Sequence, residues 1–329
     1  MIKSNKQYYI HCQLTAISFF VLIFCSCNGN SDKKDNISED SLQTDKKREF
    51  NMIAIPYQLT APADRAAYLA AHYWDNFDFS DTVYCHMPEV TEQAFTNYID
   101  IFPHTSFENV ESSIKNILTS AEKEETGRMF RYFTDMYDKY LYDPNSPMRN
   151  EEYYIPVVEY IVNDSRASDV VKEKAKFDLE MLMKNRVGDK AANISYTLPS
   201  GRSDMLYNIN SSYTLLYFYN PGCEACEEAS YALMNSPVIK TMLKNGLTVF
   251  AFYPDKDLTE WKRYLPAFPS EWINCYDKNQ DVTNKRLYDL KAIPAIYLLD
   301  RDKKVILKDT NVQQVEDYLR NANPVVFVD

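Results

Sequence analysis

Two cysteines with two residues between them, Cys223 and Cys226, stand where an apolar run meets a turn, in the stretch Leu215–Cys226 that reads LLYFYNPGCEAC. The run predicts a buried strand, Asn220-Pro221-Gly222 predicts a turn, and the residues beyond predict a helix with Cys223 in its first turn. A thiol there lies beside unpaired helix N–H groups and the positive end of the helix dipole, which favour the thiolate. Residues at i and i+3 across one helical turn can also close a disulfide without moving the helix. The pair is therefore suited to thiol–disulfide exchange, with Cys223 as nucleophile, Cys226 as the more buried resolving thiol, and Cys223–Cys226 as a redox-active disulfide.

Competing chemistries fit less well. A zinc site would need two further ligands, yet residues 191–329 contain no histidine and, beyond the pair, only Cys275. A purely structural CxxC disulfide closes too short a loop to stabilise much. A copper chaperone would want CxxxC with a histidine. A peroxiredoxin would have Thr or Ser three residues before its cysteine, where Asn220 stands. His72, His86 and His104, with Cys85 beside His86, are read as structural or surface residues, and Cys275 as a buried strand residue. No metal and no cofactor is expected.

The elements that must position the pair follow from periodicity. Thr214–Tyr219, Leu247–Tyr253, Ile273–Tyr276, Ala295–Leu299 and Lys304–Lys308 predict strands, and Ile194–Leu198 with Leu206–Ile209 predicts a hairpin. Glu227–Leu243 (bent at Ser236-Pro237), Asp257–Tyr264, Val282–Tyr288 and Asn311–Leu319 predict helices. Before residue 190 the spacing is helical throughout, over Arg65–Phe77, Thr91–Ile101, Ser106–Ala121, Thr126–Leu141, Tyr153–Val162 and Ser168–Lys184. The fold class is thus an α-helical domain, residues 51–190, followed by an α/β domain with a mixed sheet, residues 191–329.

Composition narrows the setting. The chain has 329 residues, a net charge of −11 and no basic run, which argues against nucleic acid as a partner. Lys3 and Lys6 precede the apolar stretch Leu14–Phe24, which is too short for a ~20-residue span and reads as a signal peptide over residues 1–27. Its end, Phe24-Cys25-Ser26-Cys27, resembles a bacterial lipoprotein box, which implies acylation at Cys27 and attachment to the membrane. Losing residues 1–27 takes the net charge from −11 to −13, since Lys3 and Lys6 leave and no acid does. Residues 28–50 are polar, without apolar periodicity, and predict a flexible tether. The expected location is the cell envelope, where disulfides persist.

The C-terminal pattern is closer than a generic CxxC. YTLPSG, then a strand and CxxC, then LYDLKAIPAIYLLDRDKKVILKD, resembles the extracytoplasmic TlpA/ResA-type thioredoxin branch. The whole chain resembles Bacteroidota lipoproteins that join a helical domain of unknown function to such a module. The resemblance implies a cis Ile293-Pro294 bond facing the CxxC, with the backbone there holding the substrate strand beside Cys223. It also exposes departures: Tyr217 stands where thioredoxins carry a buried Asp, and Gly222 where they carry Trp. Glu224, Glu227 and Glu228 oppose a thiolate, which predicts a reductant rather than a strong oxidant. The expected function is reduction of protein disulfides with electrons from a membrane donor that the sequence does not identify. The alternative is a binding lipoprotein that uses the module as a scaffold.

Overall fold

Among the described residues, 48–327 of the computed structural model, six α-helices fill the chain as far as Leu182. The expected signal peptide, Cys27 and all of the tether before Arg48 lie outside the described residues. α1 (Pro62–His72) and α2 (Pro88–Ile99) open on proline, whose fixed φ and missing N–H suit a first turn. Ser106, Asn150 and Ser168 cap α3 (Phe107–Glu122), α5 (Glu151–Asn163) and α6 (Asp169–Leu182) by accepting from first-turn N–H groups. α4 (Arg128–Tyr137) starts two residues later than its periodicity suggests. Gly127 at φ 70° breaks the run, and the Glu124 carboxylate takes the free N–H groups of Arg128 and Met129. α4 then widens into a π turn, Asp138–Tyr142. The aromatic stripes meet in one core, with Phe95, Tyr98, Phe102, Phe133 and Tyr137 fully buried. At ~1.5–3 kcal/mol for each large apolar side chain buried, those rings are a main source of the helical part's stability.

The second part is a seven-stranded mixed sheet in the order β2-β1-β5-β4-β3-β6-β7. Its strands are β1 (Ser195–Thr197), β2 (Ser203–Met205), β3 (Tyr213–Phe218), β4 (Leu247–Tyr253), β5 (Ile273–Tyr276), β6 (Ala295–Leu299) and β7 (Val305–Leu307). β3, β4 and β5 run parallel, β6 lies antiparallel to β3, and β7 antiparallel to β6. α7 (Glu224–Asn235), α8 (Pro237–Leu243), α9 (Leu258–Tyr264), the short α10 (Asp281–Asn284) and α11 (Val312–Ala322) complete it. Alternation along β3 sends Leu215, Tyr217 and Tyr219 into one core and Leu216 and Phe218 into another, so both faces of the strand are dry.

Three expectations need correction. The hairpin partner of β1 is Ser203–Met205, and Leu206–Asn208 is a 3₁₀ turn that anchors Leu206 in the core. The helix expected over Val282–Tyr288 stops at Asn284, because Arg286 adopts φ 48° and turns the chain so that Tyr288 is buried. The helix expected over Arg65–Phe77 ends at His72 in successive turns around Asp75 and Phe77, which place Trp74 in the aromatic core.

Helices and sheet belong to one compact unit. A buried charge cluster joins them: Glu151 at the start of α5 meets Arg149 at 2.7 Å, Lys308 at 2.8 Å and Lys291 at 3.4 Å, and Arg149 also pairs with Asp309. Lys308 further donates to the Leu182 and Lys184 carbonyls, closing the C-terminal end of α6.

Candidate redox site

The site forms where β3 ends. The chain leaves the sheet at Tyr219, turns through Gly222 at φ 72°, and enters α7 with Cys223 as its N-cap residue. A Cβ at Gly222 would be strained by that φ, and it would also sit 3.9 Å from the Tyr264 hydroxyl. The Cys223 sulfur does what a capping oxygen does elsewhere: it accepts from the Cys226 N–H at 3.3 Å. Both cysteines are free thiols, their sulfurs 2.7 Å apart with Cys226 donating to Cys223. The Cys223 thiol in turn donates to the Ile293 carbonyl at 3.6 Å. The Ile293–Pro294 bond is cis. The structure thus gathers Cys223, Cys226, Ile293 and Pro294 from distant parts of the chain; Cys27 lies outside the described residues.

Burial separates the two thiols. Cys223 is half-buried, whereas Cys226 is 2% exposed and packs into the core. Desolvation first, and then the adjoining Cys223 sulfur, push the Cys226 thiol up to about 12, with Glu227 adding to the shift. Cys226 therefore holds its proton at neutral pH. Glu224, Glu227 and Glu228 all lie exposed around the mouth, and Glu227 accepts from the Tyr264 hydroxyl at 3.2 Å.

Behind the pair stands a residue whose role the sequence did not suggest. Tyr217 is fully buried, and its hydroxyl donates to the Cys226 carbonyl at 2.5 Å. Its ring stacks on Tyr219 at 5.4 Å, and the Tyr219 hydroxyl accepts from Trp261 at 3.0 Å. The alternation of β3 signalled that Tyr217 and Tyr219 share a face with the helix to come, but not that one of them ties down that helix's first turn. Burial holds the Tyr217 hydroxyl far above the usual tyrosine range, so it stays neutral.

The other candidates stand apart. Cys275 is fully buried in β5, where its thiol donates to the Ala251 carbonyl and burial raises its pKa well above the usual value. Cys85 donates to the Met129 sulfur at 3.9 Å, and His72 pairs with Asp75. Among the described residues no group of three or more His, Cys, Asp or Glu side chains is placed to hold a metal ion. Nor is any described helix long and apolar enough to cross a membrane.

A groove of about 390 Å³ opens beside the pair, between Asn220 and Ile293 on one side and Phe177 and Met181 of α6 on the other. The helical part thus lines a hollow that reaches Ile293, whose carbonyl accepts from Cys223. Asn220 Oδ1 is buried there without a hydrogen-bond partner.

Comparison with known proteins places this arrangement. The family described as "Domain of unknown function (DUF5106)" matches residues 26–185. A search of curated proteins finds no match. A thioredoxin-like protein from Bacteroides caccae ATCC 43185 is 45% identical, with 83% of this chain and 99% of that one covered, at a TM-score of 0.80. The C-terminal domain of an uncharacterized protein from Bacteroides fragilis NCTC 9343 is 50% identical over 41% of this chain and 97% of that one, at a TM-score of 0.40. The thioredoxin domain of a thiol-disulfide oxidoreductase from Bacteroides vulgatus is 21% identical over 42% and 97%, at 0.38. With near-complete coverage of the first relative, the chain belongs to the Bacteroidota thioredoxin-like proteins in which a DUF5106 domain precedes a thioredoxin-like domain.

Proposed function

We propose that this protein is an extracytoplasmic thiol–disulfide oxidoreductase, held to the membrane through acylated Cys27, that reduces disulfides in other proteins. The observation that carries the reading is the thiol chain: a helix-capping, half-buried Cys223 sulfur 2.7 Å from the buried Cys226 sulfur and 3.6 Å from the Ile293 carbonyl. A half-buried thiol can be reached by a substrate; a thiol 2% exposed can be reached only by its neighbour.

The chemistry balances as two exchanges. Cys223 loses its proton and attacks one sulfur of the substrate disulfide; the S–S bond breaks, and the departing substrate sulfur takes a proton. Cys226 then gives up its proton and attacks Cys223 Sγ. The mixed disulfide breaks, the second substrate sulfur leaves as a thiol, and a Cys223–Cys226 disulfide remains. Two electrons have passed to the substrate. A dithiol donor at the membrane must return them before the next turnover.

Insulin-disulfide reduction by the full chain in detergent tests the reading. Turnover is expected for the wild type and at least a thousandfold less for Cys223→Ser, while Cys226→Ser accumulates mixed disulfides. Turnover retained by Cys223→Ser would refute the mechanism and favour a scaffold role.

A further inference from the structure

The groove beside the thiols does not end at α6. A second hollow of about 580 Å³ shares Phe177 and Met181 with it, and a third of about 640 Å³ shares Asp135, Asp138, Lys174 and Asp178 with the second. Through these shared residues the three adjoin as one trough along α6, from the helical part to Asn220 and Ile293.

Its far end is lined by Asp135, Asp138 and Asp178 together with Arg131, Arg166 and Lys174. Asp135 and Asp138 make no ion pair and no side-chain hydrogen bond among the described residues. Burial raises both carboxyls above the usual range, against the opposing pull of Arg131 on Asp135 and of Lys174 and Lys291 on Asp138. The neighbouring Lys174 is committed to Asp178 at 2.7 Å, and Arg166 on the rim to Glu122; Arg131 faces Asp135 from the wall. A second observation is independent of the carboxylates. Tyr154, only 3% exposed, lines the hollow with a hydroxyl that has no hydrogen-bond partner among the described residues. Its ring stacks on Tyr142 at 4.6 Å, and Tyr142 already carries the Lys291 ammonium 3.1 Å from its centroid. Asp138 and Tyr142 are the two ends of the π turn, a distortion found often at functional sites.

We propose that this trough receives an extended segment of the substrate polypeptide, with a lysine or arginine side chain held by Asp135 and Asp138, while the segment's cysteine reaches Cys223. The inference rests on the redox reading of Cys223. Continuity with the hollow that reaches Asn220 and Ile293 argues for a chain as the occupant. From Lys174 to Met181 the helix rises ~10 Å, about three residues of extended chain, so the basic residue lies roughly four or more positions from the cysteine.

The test compares two fluorescent peptides that carry serine for the cysteine, alike except for Lys-Arg or Glu-Glu about five residues away. Anisotropy with the full chain in detergent is expected to show at least tenfold tighter binding of the basic peptide, weakening with salt. That preference should disappear in Asp135→Asn/Asp138→Asn and diminish in Asp135→Asn alone, a second variant at an exposed position. Equal binding of the two peptides, a preference that survives the double variant, or equally strong competition by free lysine would overturn the proposal. Reduction of hydroxyethyl disulfide by the wild type is measured alongside. Its absence would refute the redox reading, whereas the peptide preference stands or falls on the binding data.

Discussion

At the scale of single residues, the site depends on groups that hold the thiols rather than on the thiols alone. Tyr217 ties the first turn of α7 to β3 through its 2.5 Å hydrogen bond to the Cys226 carbonyl. Tyr217→Phe is expected to cost ~1 kcal/mol, read by urea unfolding of the reduced protein, since it removes a buried hydrogen bond. Glu227 acts through space instead, as one of the influences that raise Cys226. Glu227→Gln should bring the Cys226 titration down from about 12, followed by thiolate absorbance, and move the reduction potential upward. The wild-type potential itself is expected well below the ~−120 mV of strong oxidants; a value near that figure would reject the reductant reading. The cysteines were legible because a CxxC after an apolar run is a local pattern. Tyr217 was not, because its meaning depends on a carbonyl nine residues away across a strand–helix junction.

Among the elements, what the sequence showed best was burial and what it showed least was termination. Leu247–Tyr253 and Ala295–Leu299 were readable to the residue because each is a largely apolar run on an interior strand of the sheet. Helix ends were harder, since they turn on backbone angles at particular residues. Arg286 at φ 48° stops a helix that propensity would have continued, and Gly127 at φ 70° delays the start of another. Ser236 is an instructive middle case. Its hydroxyl accepts from the Ile239 N–H and starts α8, dividing what periodicity reads as a single bent helix. Ser236→Ala is expected to lower stability by ~1 kcal/mol in thermal melts, because the cap is buried and nothing replaces it. The trough escaped the sequence altogether: its walls come from residues as far apart as Asp135 and Ile293, with no spacing to mark them.

On the scale of the whole molecule, the charge cluster at Glu151 fixes the helical part against the loop that carries Ile293. Burial works against the Glu151 carboxylate, but Lys308, Arg149 and Lys291 outweigh it and hold its pKa below the ordinary range. Its contribution is therefore present above the unfolded value of about 4.3 and lost as pH falls through the lower folded value. Asp309 has the opposite sign: burial keeps its carboxyl above the usual range despite Arg149, so its cost is relieved on acidification. Glu151→Gln, which leaves the cations around it uncompensated, should cost ~3 kcal/mol at pH 7. The gap to the wild type should narrow below about pH 4.3, and a gap that widens in urea unfolding at pH 4 would contradict this account.

The tyrosine behind the cysteines also decides where protons can go. An aspartate in that position would be an internal acceptor, able to take the Cys226 proton toward the sheet. Tyr217 cannot, because its own proton is held too tightly, and the acid that influences Cys226, Glu227, lies on the exposed rim. In the proposed reaction, proton and electrons would leave by the same opening, toward the departing substrate sulfur. The resolving step should then follow the basicity of that leaving thiolate rather than the titration of any buried carboxylate.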